Sequence, residues 1–477
     1  MTPFVEMASR PLYLEAGTFG LLLLVFATGF ARRSRTSRLP GWITLAGLSI
    51  LAAASAIALP GQTAFGGTFD LDGISLFLKT LFFSSAALSV LAGLGLQSEA
   101  MTRRSVEYHL TLLGSLLGML VLASARDLIL VFVSFELMSI PLYVLAGFER
   151  KGETAGEGAL KFFLVGSVSS AIILYGLSFV YGATGSMAIA AIGPALDARH
   201  PLLLLGLVLA LAGLGFKIAA VPFHMWVPDT YESAPTPFVA WLSVAPKAAG
   251  FIVLIRLYVE GAGPAMAKWV PAIAGIATVT IVLGNLMAIP QQNIKRLLGY
   301  SGIAHIGYLL MGIVAMSASG IGMLLFYLVA YLFGNMGAFF VVQAVAGSEK
   351  SDQIEAYSGL ARRSPALALS LLVFLLSLGG IPFMAGFWAK FFVFWAVVER
   401  GMYWLAFVGA VATVVALYYY LVVAKRMYID PPPRPDAIRV PAVLLVAIVL
   451  CAAGVVIMGA YPSPWVTAAT RAASSIF

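Results

Sequence analysis

About fourteen stretches of roughly 18 to 25 predominantly apolar residues follow one another along this chain, separated by short polar connections. A helix needs about 20 such residues to cross roughly 30 Å of hydrocarbon, where no water is present to satisfy backbone N–H and C=O groups. A spanning chain must therefore be helical or close into a barrel, and barrel strands alternate apolar and polar residues. The stretches here are continuous, which predicts an all-α polytopic membrane protein. Their centres fall near residues 21, 50, 85, 116, 138, 171, 214, 249, 279, 306, 332, 381, 414 and 450. Composition agrees: 61% of the 477 residues are hydrophobic and 10% charged, against about a quarter charged in a soluble domain.

The net charge of +8 does not indicate nucleic acid, because no basic stretch is interleaved with aromatic residues and the positive residues sit at helix ends. If alternate connections share a side, one side holds Arg32, Arg33, Arg35, Arg38, Arg103, Arg104, Arg150, Lys151, Lys295, Arg296, Lys350, Arg362, Arg363 and the tract from Lys425 to Arg439. That is 17 of 29 basic residues, and the opposite side holds six, Arg10, Arg126, Arg199, Lys268, Arg400 and Arg471. The positive-inside rule makes the first side cytoplasmic, so both termini are expected to face outward. The arginines follow the first apolar stretch instead of preceding it, so that stretch is read as an uncleaved helix and not as a signal peptide. The tract Pro431, Pro432, Pro433, Pro435 reads as a stiff spacer before the last span.

Two spans are interrupted: the seventh at Gly215 to Pro222, the twelfth at Gly379-Gly380-Ile381-Pro382 through Gly386. Proline removes a backbone donor, and broken backbone is tolerated in lipid only where protein or a watery cavity covers it. Five spans apart, the two breaks enter the membrane in opposite directions, as in an inverted repeat of the kind transporters use. The expected organisation is three N-terminal helices over 1–105, a first repeat over 106–262 (spans four to eight), a second over 263–428 (nine to thirteen), and a C-terminal helix over 429–477.

Ionisable residues inside spans are expensive and mark pathways. Glu136, half way along span five, is the one carboxylate placed deep in the hydrocarbon. Lys217 sits beside the first break, Lys247 is mid-span in Ala245-Pro246-Lys247-Ala248, and Lys390 follows the second break. Lysine suits proton transfer because a buried ammonium loads and unloads with modest changes in nearby charge. A Glu136–Lys217 pair that opens and closes would supply such a change. Candidate relays are Lys161, one turn into span six, His305, mid-span, and His224, which lies with Asp229 just after the first break. Lys79 and Arg256, near span ends, are expected to snorkel, and His109 and His200 look interfacial. No metal site is expected, since no histidine has ligand spacing. The single cysteine, Cys451, is inside an apolar run, and no loop is large enough for a nucleotide-binding domain. Any redox energy source must then lie on a partner.

Several segments together carry a resemblance: Ser134-Phe135-Glu136-Leu137, Leu160-Lys161-Phe162-Phe163-Leu164, Pro222 to Asp229 running to Ala234-Pro235-Thr236-Pro237, Ala245-Pro246-Lys247, Gln291 to Leu298, and Gly379 to Lys390. Over nearly the whole chain these resemble the antiporter-like membrane subunits of bacterial NADH-quinone oxidoreductase, respiratory complex I, and among them the subunit N family. The resemblance implies that Glu136, Lys217, Lys247 and Lys390 act as gating acid, its paired lysine, central lysine and distal lysine. It implies no cofactor in this chain, with flavin, iron-sulfur clusters and quinone on partner subunits. It implies neighbours equivalent to the antiporter-like subunit M and the small subunit K, and proton transfer from cytoplasm to periplasm. Phe383, Met384, Ala389, Gly299 and Gly302 depart from the common pattern, which bears on the shape of the second break and not on a titratable position. Two other readings of the residues remain: a cation/proton antiporter subunit without a redox partner, and a scaffold whose charges only fix helix packing.

Overall fold

The computed structural model describes residues 11–30, 38–95, 99–149, 153–197 and 201–477. Arg10, Arg32, Arg33, Arg35, Arg150, Lys151, Arg199 and His200 lie outside the described residues. Chain order is α1 (Tyr13–Phe30), α2 (Leu39–Ala56), a hairpin of β1 (Gln62–Ala64) and β2 (Phe69–Leu71), α3 (Gly73–Leu94), α4 (Ser105–Ser124), α5 (Leu128–Ala146) and α6 (Glu153–Thr184). Then come α7 (Pro201–Ile218), the short α8 (Trp226–Ser233) and α9 (Thr236–Gly261). The second half holds α10 (Met266–Ala288), α11 (Ile294–Val314), α12 (Ala318–Glu349), α13 (Pro365–Gly379), α14 (Ala385–Glu399), α15 (Tyr403–Tyr428), α16 (Ala442–Ala460) and α17 (Ser463–Ala473).

Thirteen described helices are long and apolar enough to cross a membrane. The expected twelfth span appears as α13 and α14, two 15-residue pieces on either side of the second break, which completes fourteen crossings. Helices α9 and α11 are buried almost throughout and, with α12, make the centre of the bundle. The outer helices turn large apolar side chains outward, among them Phe19 and Leu24 of α1, Val168 and Tyr175 of α6, and Val446 and Ile457 of α16. Between helices with no aqueous hydrophobic drive, close approach depends on small residues. Gly176 of α6 and Gly206 of α7 show it: a Cβ on either would lie 2.7 Å from the other's carbonyl oxygen.

The breaks differ in detail from the sequence expectation. Helix α7 remains regular through Gly215 to Ile218, and the interruption runs from Ala219, with φ +66°, to Met225. Gly215 is a slot and not a breaker: a Cβ there would meet the Phe223 ring at 2.7 Å as the chain folds back. In the second break Gly380 caps α13 at φ +82°, and Gly386 brings α14 so close that a Cβ would lie 1.9 Å from the Ser377 carbonyl oxygen. Phe383, one of the departures, adopts φ +69° and turns its ring outward. The amphipathic α17 was not expected; it packs its buried alanines against α3 and α12.

Two further expectations are overturned. Lys79 and Arg256 do not snorkel; both are fully buried. Lys79 pairs with Glu15 of α1 at 2.7 Å, and Glu15 is itself buried, as is Asp72. Arg256 pairs with Asp72 at 2.9 Å and with Glu260 one turn on, and Arg126 joins Asp70, Asp72 and Glu260. Paired carboxylates remove the need to reach water, and Glu15 and Asp72 come from other elements, which is why inspection of one span could not reveal them. Asp72 is the hub. It caps α3 through the Ser75 N–H and accepts from both arginines.

Burial pushes the Asp72 carboxyl up, but Arg256, Arg126 and the Ser75 N–H pull it further down, to below the usual carboxylate range. A depressed carboxylate stabilises the fold above its unfolded value of about 3.9 and loses that contribution as pH falls through the folded value. Asp72→Asn keeps a capping side chain but leaves two arginines short of a counterion, so a loss of up to about 3 kcal/mol is expected at pH 7. Thermal unfolding of the purified complex should show this gap, and it should close as pH is lowered below about 4.

Candidate proton pathway

Each candidate side chain owes its position to a local irregularity. Lys217 occupies the last turn of α7, before the break. Its ammonium donates to Ser139 Oγ at 2.8 Å, Ser170 Oγ at 3.2 Å and the Tyr143 hydroxyl at 3.4 Å. Glu136 is one turn back from Ser139 on α5; its charge reaches Lys217, but the two form no ion pair here. Glu136 Oε1 is buried with no hydrogen-bond partner among the described residues. Hydroxyls stand around the Lys217 ammonium in place of the carboxylate. A small cavity of about 20 Å³ lies beside Lys217, lined by Ser139, Tyr143, Trp226 and Pro246 among others, and Pro246 precedes Lys247.

Lys247 follows a helical interruption at Ser243–Val244, with Pro246 in the first turn of the resumed helix, where its missing N–H costs nothing. Its Nζ is 1% exposed as a residue and has no hydrogen-bond partner among the described residues. The Tyr231 ring lies 5.6 Å from it. Lys390, in the second turn of α14, is 3% exposed. Its Nζ donates to the Gly379 carbonyl at 3.4 Å and stands 4.8 Å over the Tyr308 ring.

His305 of α11 lies between these lysines, near enough for both charges to act on it. Its Nδ1 is 2.7 Å from the Tyr327 hydroxyl, and its ring is 5.0 Å from that of Tyr331 and 6.0 Å from that of Tyr308. The structure thus brings Lys217, Lys247, His305 and Lys390 into one sequence of neighbours. It does not bring Lys161 there: Lys161 is half exposed and pairs with Glu157 at 2.7 Å and Asp229 at 2.8 Å. Asp229 also takes Arg296 at 2.8 Å, so this cluster ties α8 to both α6 and α11. His224 is half-buried in the first break. His109 is buried, its Nδ1 2.6 Å from the Ser105 carbonyl.

The sequence reading missed the hydroxyls. Between the lysines lie buried Tyr308, Tyr327, Tyr331, Tyr419 and Tyr420. Thr413 donates to the Tyr308 hydroxyl at 3.2 Å and Tyr419 to Asn285 Oδ1 at 3.0 Å, while Tyr420 bonds Ser301. Their signal was present as Tyr327/Tyr331 at i, i+4 and His305/Tyr308 at i, i+3, but tyrosine counts as apolar when spans are sought. Among the described residues no cluster of histidine, cysteine and carboxylates could hold a metal ion.

Fourteen crossings, two broken helices and buried cations between them define a transporter-like membrane protein of the antiporter type. The chain belongs to the NADH:quinone oxidoreductase/Mrp antiporter transmembrane family, whose profile matches residues 125–416. It is 43% identical over 470 residues to a Moorella thermoacetica protein named NADH-quinone oxidoreductase subunit N, covering 98% of each chain. A relative of the same name from Heliobacterium modesticaldum is 43% identical over 85% of this chain and 86% of its own. A chain of respiratory complex I from Thermus thermophilus superposes with TM-score 0.82 at 34% identity, covering 95% of this chain and 98% of that one. A chain of the Mrp complex from a Dietzia species superposes at 0.87 with 19% identity over 100% and 98%, a likeness of fold alone.

Removing the hydroxyls around Lys217 should be felt as a change in transfer. Hydrogen bonds to a charged group contribute about 1.5–3 kcal/mol each, so Ser139→Ala with Ser170→Ala should lower proton pumping per NADH in an assembled complex more than either change alone. Pumping equal to wild type in reconstituted vesicles would reduce the hydroxyls to packing.

Proposed function

We propose that this chain is a proton-translocating membrane-arm subunit of a bacterial NADH-quinone oxidoreductase and performs no redox chemistry itself. The observation that carries the reading is the set Lys217, Lys247 and Lys390, three buried ammonium groups without a carboxylate within ion-pair distance among the described residues, with His305 between the last two. A buried charge costs several kcal/mol unless it is paired. A protein keeps three unpaired ones where their protonation changes are used. In this reading Glu136 gates Lys217, Lys247 is the central relay and Lys390 the distal one. Each neighbour's readiness to hold a proton depends on the last, so a charge change passes sideways along the row. Flavin, iron-sulfur clusters and quinone belong to partner subunits, and the adjoining membrane subunits are the direct neighbours. The two repeats, 106–262 and 263–428, supply one broken helix each.

Glu136→Gln preserves shape and removes charge, so the complex should assemble with lowered pumping per NADH oxidised. Lys247→Ala should be at least as harmful. Lys390→Arg retains a positive charge that does not release a proton at physiological pH, and should assemble while lowering coupled NADH oxidation. Blue native gels with activity expressed per assembled complex separate these outcomes from misfolding. Wild-type pumping in all three would overturn the pathway, and purification without flavin or NADH dehydrogenase activity would overturn the assignment to a redox complex.

Both termini face the periplasm in this reading. The connections at 95–104, 219–235, 289–293, 350–364 and 429–441 then share the cytoplasmic face. A cysteine introduced at Arg362 should react with membrane-impermeant thiol reagents from the cytoplasmic side alone, and labelling from outside would reverse the orientation.

A further inference from the structure

A cavity of about 30 Å³ that the proton pathway does not use opens among the three N-terminal helices and α4. It lies between the start of α2, the end of α3 and the start of α4, at the end of the bundle that carries Arg38, Arg103 and Arg104. Its polar lining is Arg38, Thr102, Ser105, Tyr108 and His109, and the rest of the wall is apolar or glycine. His109 is 8% exposed, and its Nδ1 lies 2.6 Å from the Ser105 carbonyl oxygen. A carbonyl oxygen only accepts, so Nδ1 carries the proton and Nε2 presents a lone pair that needs a donor. Nε2 faces the backbone of Gly41, where a Cβ would come within 3.2 Å of it, and no described residue donates to it. Arg38 leads into α2 with its side chain exposed and without an ion-pair partner among the described residues. One turn on, Trp42 is 47% exposed on the same face of α2, and an outward tryptophan beside arginines marks the level of lipid head groups.

We propose that this cavity is a head-group site for an aminophospholipid, whose primary ammonium enters and donates to His109 Nε2 while its phosphate stays at the rim on the Arg38 guanidinium. Size selects the group that enters. A volume of about 30 Å³ holds one or two water-sized groups, which admits a primary ammonium but neither a phosphate nor a trimethylammonium. The acceptors agree, since Ser105 and Tyr108 offer hydroxyl oxygens beside the imidazole. Glu149, whose charge reaches Tyr108, adds negative potential on this side. The phosphate of the same lipid is the counter-charge of both the ammonium and Arg38, so the head group enters without leaving a net charge unpaired. Its acyl chains run past the exposed Leu39 and Trp42. Nothing in this site depends on the proton-pathway reading.

The whole complex, delipidated in mild detergent, tests the site by titration with short-chain phosphatidylethanolamine, phosphatidylcholine or phosphatidylglycerol, with bound lipid counted by native mass spectrometry. The expected result is one phosphatidylethanolamine per complex that Arg38→Ala and His109→Leu each bind roughly tenfold more weakly. His109→Gln, whose amide oxygen accepts in place of Nε2, should bind it nearly as wild type does. Phosphatidylcholine and phosphatidylglycerol should bind alike in wild type and variants. Phosphatidylethanolamine binding unchanged in both Arg38→Ala and His109→Leu would overturn the site. An equal loss of phosphatidylcholine or phosphatidylglycerol in these variants would mean that the phosphate alone is held, and would overturn the amine cavity. Should the His109 variants fail to assemble, Arg38→Ala decides together with the wild-type preference for phosphatidylethanolamine over its trimethylated analogue phosphatidylcholine, because an exposed arginine is not part of the packing.

Discussion

The rest of the architecture answers to one constraint: an ammonium group in a lipid-embedded bundle must be solvated by something. Moving such a charge from water into low dielectric costs many times the stability of an ordinary side-chain contact. The molecule solves this in two ways. At the outer face Lys79, Arg126 and Arg256 each meet carboxylates. Along the central line Lys217, Lys247 and Lys390 meet hydroxyls, a carbonyl and aromatic faces instead. The first kind of charge is fixed in place by its partner. The second has no such partner, and in the proposed reading that weaker solvation is what lets these lysines lose a proton.

The helical breaks follow from the same need. A regular helix spends its backbone groups on itself, whereas the end of α13 leaves the Gly379 carbonyl to Lys390. Each half of the chain thus places a lysine beside an interruption. The intervening helices α11 and α12 contribute the histidine and tyrosines that join the halves. The cluster of Lys161, Asp229 and Arg296 holds α8 against helices from both halves.

Much of this was legible in the sequence, for physical reasons that can be named. Apolar length located every crossing, because bilayer thickness sets it. Glu136, Lys217, Lys247 and Lys390 stood out because a charge in an apolar run is rare. What could not be read is what lies across from a residue. Lys79 looked like a snorkelling side chain until Glu15, 64 positions earlier, proved to face it. Lys161, a candidate relay by its place in span six, is half exposed and held between Glu157 and Asp229. Tyr327 and Tyr331 escaped notice because their rings satisfy the same apolar pattern that defines a span. The exact seat of the first break, after Ile218 and not at Gly215, depended on a ring folding back from Phe223, a contact no local rule contains.

The Asp72 hub has a consequence for motion. Helix α9 carries Lys247 near its middle and Arg256 with Glu260 at its outer end, where a π-helical turn at Ile255–Gly261 binds them to Asp72 and Arg126. Sliding α9 along its axis, or rotating it by a residue, would tear several buried charges from their partners at once. The helix therefore behaves as a stator. In the proposed reading, a change at Lys247 then comes through side-chain rotamers and hydroxyl orientation, and not through the slower shift of a helix register. A pump built on such a frame keeps its gearing in the side chains, and its frame remains still while charge moves through it.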